Sequence, residues 1–150
     1  LTSIDLIMPA AIVIEPAVEL PSGLPGSRFR IHGRLILTDA ALYFIHGWDE
    51  QVREDLWWMV ERTVRPPGRS EQAHAGRQML EQYADRSPEQ QAEIVPGSRV
   101  VPLRDLSSAR QVGWPSRLIV ETRRHGDTLV YRIPRTAREA VTGWIAAHAS

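Results

Sequence analysis

His32, His46, His74, His125 and His148 come first, because an imidazole near its ordinary pKa can ligate a metal or move a proton. Their spacing holds neither an H-E-x-x-H pair nor a Cys/His pairing, so they predict no metal site. The chain has no cysteine, which excludes disulfides, thiolate ligands and thiol nucleophiles together. It has no lysine either, so Schiff-base chemistry and the lysine of a phosphate-binding P-loop are excluded too. No G-x-S-x-G elbow or G-x-G-x-x-G loop occurs. The neighbouring carboxylates Glu54 and Asp55 point to different sides of a helix, as solvating charges do. The expectation is a protein that is not an enzyme and needs no cofactor and no metal.

Two groups of residues could instead recognise a partner. Net charge over the 150 residues is zero but unevenly spread. Between residues 49 and 61 five acids face one arginine, and between residues 99 and 138 nine arginines face three acids. Local charge sets what a surface attracts, and two readings stand: a solvated surface with internal ion pairs, or an anion site. The neutral total and the lack of any motif interleaving aromatic with basic residues exclude nucleic acid as the expected partner. Trp57, Trp58 and Met59 form the second group. Adjacent helical residues lie about 100° apart, so one tryptophan can enter the core while the other anchors a protein contact.

One domain of 150 residues, with 43% hydrophobic and 24% charged side chains, can build a core to position these groups. The longest apolar run, LIMPAAIVI, is broken by Pro9 and is far short of a membrane span. The opening leucine has no basic region beside it, so the expectation is a domain of a longer protein rather than an intact secretory signal. AAIVIEPAVEL reads as a strand interrupted at Pro16. RFRIHGRLIL alternates, with Phe29, Ile31, Leu35 and Leu37 toward a core and Arg28, Arg30, His32 and Arg34 toward solvent. Gly33 falls in the inward row, which predicts a bulge or a close backbone approach. Asp39 is expected to close the turn into ALYFI.

From about residue 48 to residue 97 the pattern becomes helical. Asp49 is the expected cap of a first helix, SEQAHAGRQMLEQYADR reads as a second that Gly76 weakens, and Ser87, Pro88 and Gln90 cap a third. Strand character returns in RVVPL, residues 106–112, RLIVETRR and DTLVYRIP, the last two joined across Gly126. Thr136 and Glu139 are read as the capping box of a closing helix whose apolar side carries Ala137, Val141, Trp144 and Ile145. The count is seven strands, a helical insertion between the third and fourth, and a C-terminal helix.

That order, with GRLILTDAALYF at residues 33–44, VVPLRDLSSA at 100–109, RLIVET at 117–122 and the closing helix, resembles the pleckstrin-homology (PH) superfamily. Within it the texture is similar to the GRAM domain and to the PH-like domain that precedes BEACH domains, with Leu106 where isoleucine is usual. The resemblance runs over residues 15–48 and 99–150. It implies a mainly β fold with α, a bent seven-stranded antiparallel barrel plugged at one end by its last helix. The insertion is the departure from the family pattern.

The resemblance also implies that the loop after the first strand and the last hairpin flank a head-group site, which would bring Arg28, Arg30, Arg123, Arg124 and His125 together. The leading expectation is a non-enzymatic interaction module docking to a protein partner or to adjacent domains of its own chain, with Trp57, Trp58 and Met59 as contacts. The alternative is a peripheral membrane module that binds acidic phospholipid through the arginines. The expected location is the cytoplasm, or the inner face of the membrane for the alternative.

Overall fold

A computed structural model describes residues 11–21, 29–51, 69–113, 116–124 and 126–148. Seven strands, β1 (Ile12–Leu20), β2 (Phe29–Leu37), β3 (Ala41–Gln51), β4 (Arg99–Pro102), β5 (Leu106–Val112), β6 (Arg117–Thr122) and β7 (Thr128–Arg132), form one antiparallel sheet. Their order in space is β4-β3-β2-β1-β7-β6-β5. Helices α1 (Arg69–Gln82) and α2 (Pro88–Ile94) lie between β3 and β4, and α3 (Arg138–His148) follows β7. The fold is mainly β with α, as the sequence predicts.

Every strand contributes to one core. Ile14, Leu35, Phe44, Val101, Leu106, Leu118 and Tyr131 meet there with Val141 and Trp144 of α3. The sheet therefore curls round its inner face. Burying a side chain of this size stabilises the fold by roughly 1.5–3 kcal/mol, which gives the curl its driving force. α3 closes one end, and Trp144 Nε1 donates to the carbonyl of Thr38 at 2.8 Å. A 3-10 turn, Arg135–Ala137, starts at Pro134 and runs into α3, so Thr136 lies inside the coil rather than capping it.

Local breaks follow from residue type. Proline offers no N–H to a ladder, and the β1–β2 register shifts between Ile14 and Ala17, around Pro16. The β2–β3 register shifts between His32 and Gly33, where a β-carbon on the glycine would collide with the carbonyl oxygen of Ile45. The turn into β3 is held by Thr38, not by Asp39. Thr38 Oγ1 accepts from the amides of Ala40 and Ala41, each at 3.1 Å, because a threonine hydroxyl one residue earlier reaches both donors.

The outward face of β2 and β3 departs from the expectation of solvent. Ile36, Tyr43 and Ile45 pack in a second core against Leu80 of α1 and Val95 after α2. Arg34 is buried there, its Nε donating to Glu15 at 3.0 Å and Nη1 to Gln91 of α2 at 2.8 Å. Period-two alternation identifies which residues share a face but not what covers it. α2 begins as predicted: Ser87 Oγ accepts from the amide of Gln90 at 3.2 Å. Gly97, at φ +82, turns the chain from α2 into β4. β3 runs on to Gln51, so Asp49 is a strand residue that pairs with His46 at 2.9 Å instead of capping a helix.

Candidate functional site

β4 and β5 stand at the two ends of the strand order, and neither has a second strand neighbour among the described residues. The barrel is thus open along one seam. Among the described strands β4 pairs only with β3, with Tyr43 opposite Val100 and Leu42 opposite Val101. The alternation buries Val101 and leaves Val100 47% exposed on the outer face. At this opening a groove of about 190 Å³ runs beside β4, with Arg99 to Pro102 on one bank and, on the other, Asp105 of the turn before β5 and Thr122, Arg124 and Asp127 of the β6–β7 hairpin. It offers a strand edge, an apolar side chain and charges of both signs.

Where the seam reaches the unplugged end of the barrel, it opens into a cavity of about 280 Å³ that shares Arg99, Asp127 and Leu129 with the groove. Its floor is an inward-facing charge. Glu19 of β1 is buried and accepts from Tyr131 Oη at 3.0 Å and from Arg99 Nε at 2.8 Å. Burial, reinforced by the Glu19 charge, pushes the Tyr131 hydroxyl well above its ordinary pKa. The hydrogen bond to Glu19 raises Arg99 as well. Both groups therefore stay protonated, and the triad clamps β4 to β1 and β7. Period-two alternation from Ile12 and Ile14 would put Glu19 on the outer side; the register shift between Ile14 and Ala17 turns it inward, and its partners lie 80 and 112 positions away, which no local pattern reveals.

A third cavity, about 550 Å³, lies between the outer face of β1 and β2 and helix α1. Trp48 at its floor stacks on His32 with ring centroids 4.8 Å apart, and the Arg77 guanidinium stands 5.1 Å from the Trp48 ring. The aromatic faces are engaged by the protein's own side chains. This cluster fastens α1 to the sheet.

No protein-family model, no curated protein and no solved structure matches this chain.

Of the arginine cluster expected from the resemblance, Arg28 and His125 lie outside the described residues, as do Trp57, Trp58 and Met59. Arg30 sits on the outer row of β2 opposite Glu50. Arg123 is tied down, its Nε donating to the carbonyl of Leu106 at 3.2 Å. Arg124 shares the seam groove with Asp105 and Asp127. The sequence did not single out Arg99, Val100 or Glu19. The one available signal was the phase of RVVPL, which alternates Arg99 and Val101 against Val100.

Among the described residues no three His, Cys, Asp or Glu side chains are grouped to hold a metal, and no helix is long and apolar enough to cross a membrane.

Proposed function

We propose that this chain is a non-enzymatic PH/GRAM-like interaction module that docks an extended segment of a partner protein into the open seam, as a strand added to β4. The observation that carries this reading is the edge of β4. It has no strand beyond it among the described residues, it carries the exposed Val100, and it is bordered by a groove. Strand addition draws affinity from main-chain hydrogen bonds and specificity from alternate side chains. Arg99 and Arg124 against Asp105 and Asp127 fit a segment that carries charges of both signs. The family part of the reading is supported by the strand order, the plugging helix α3 and the GRLILTDAALYF hairpin.

The test is selection of extended peptides by display against the whole protein, followed by binding to Val100→Lys. A lysine on an edge strand opposes pairing, and Val100 is exposed enough for the fold to accept it. The proposal expects selected peptides to move the β4 amide signals and to lose about tenfold or more in affinity for V100K. Peptides that bind V100K unchanged, or that move only signals of α1 or the 550 Å³ cavity, would overturn it.

A further inference from the structure

Arg117 and Arg132 face one another directly across β6 and β7. Their neighbours Leu118 and Tyr131 are fully buried in the barrel, so alternation puts both arginines on the outer face. Like charges placed directly opposite on a sheet repel. A carboxylate alongside would relieve that, yet among the described residues neither guanidinium has one. The Nε of each is buried with no hydrogen-bond partner. The acid on the same face of β6 is Glu121, at the far end of the strand. On β1, Val18 lies beside Arg132, and the acid of that strand's outer side, Glu15, is already held by Arg34 at 3.0 Å. Two further arginines border the pair. Arg110 on β5 is exposed and diagonal to Arg117, and the Arg138 guanidinium reaches the end of β5, where a β-carbon on Gly113 would lie 3.8 Å from Nη2.

We infer that Arg117 and Arg132 form a binding site for a phosphate monoester on the outer face of β6 and β7, away from the β4 seam. A buried donor without an acceptor is destabilising, and an oxyanion seated on the two half-buried guanidinium groups offers both residues an acceptor at once. A phosphate monoester carries nearly two negative charges at neutral pH and three terminal oxygens, which match two guanidinium forks better than a carboxylate or chloride does. The group reaches the site either on a soluble metabolite or as a lipid headgroup such as phosphatidic acid. This inference does not depend on the docking proposal.

The experiment compares wild type with Arg132→Gln and Arg117→Gln in inorganic phosphate and in chloride at equal ionic strength. Arginine Nε–Hε signals and thermal midpoints are read in both. The expected result is a saturable shift of two Nε–Hε signals in wild type with Kd of order 1 mM, weakened about tenfold or more in each variant. A ligand-linked rise in midpoint should appear in wild type and shrink in the variants. Phosphate also stabilises folded proteins generally by exclusion from their surface, so the difference between wild type and variant is the measure. Flotation with phosphatidylcholine vesicles containing phosphatidic acid then separates the sources. Wild-type retention that the variants lose assigns a lipid, and phosphate binding without retention assigns a soluble ligand. Equal midpoint gains in all three proteins with unmoved Nε–Hε signals would overturn the site.

Discussion

A β-carbon added to Gly76 of α1 would stand 2.6 Å from Cε3 of Trp48 and 2.8 Å from the carbonyl oxygen of Gly47. Helix and strand thus cross at two glycines, with the Trp48 ring wedged between them. In an isolated helix Gly→Ala stabilises by about 1 kcal/mol. Here the clash decides, since one obstacle is backbone and the other a ring stacked on His32. Gly76→Ala is expected to destabilise by about 1–3 kcal/mol, read as a lower urea midpoint with an unchanged slope. A raised midpoint would mean that α1 does not pack on β3 this closely.

The clamp at the unplugged end should respond asymmetrically. Arg99→Ala leaves the Glu19 carboxylate buried with only Tyr131 beside it, and removing one partner of a buried pair is the costly change. Glu19→Gln keeps an acceptor for Tyr131, while the half-exposed Arg99 turns to water. Urea unfolding should place R99A about 2–3 kcal/mol below wild type and E19Q within about 1.5 kcal/mol. The reverse order would contradict the geometry.

Alkaline pH should unfold the protein through its buried tyrosines. Burial first, and the hydrogen bond to Glu89 second, push Tyr43 up to about 12, and burial first, then the Glu19 charge, push Tyr131 well above its ordinary value. Both folded values lie above the unfolded value near 10. Their stabilisation is thus complete below about pH 10 and is lost as pH rises from there through the folded values. Tyrosinate absorbance should appear together with loss of the tertiary circular dichroism signal. Tyrosine-to-phenylalanine exchange at position 131 should weaken that coupling.

The plug of the barrel depends on Trp144. Trp144→Phe keeps most of the apolar contact and loses the 2.8 Å bond to Thr38, a cost of about 1 kcal/mol. Trp144→Ala opens a cavity among Val141 and its neighbours and should cost about 3–5 kcal/mol. Thermal denaturation of the two variants separates the hydrogen bond from the packing.

Strands, hairpins and the plugging helix were legible because each rests on local periodicity. Gly33 was marked as a close approach from its place in an inward row, and the bulge is there. What remained hidden is what arrives from elsewhere in the chain. Arg34 alternates with Leu35 as a surface residue would, yet Gln91, 57 positions on, buries it. Gly76 reads as a flaw in a helix until Trp48 is placed against it. Thr38 and Asp39 compete for one turn, and side-chain reach, which composition does not record, decides for Thr38. The groove is harder still to read, because a seam consists of two strand edges that do not meet. The opposed Arg117 and Arg132 share that difficulty, for their pairing depends on the register of β6 and β7.

Amide hydrogen exchange at residues 99–102, with and without a saturating display-selected peptide, tests the docking proposal most directly. Strand addition gives the outward amides of β4 a new acceptor, so the account predicts that their exchange slows on binding while that of β1 stays unchanged. Exchange at β4 that is the same in free and bound protein would contradict it.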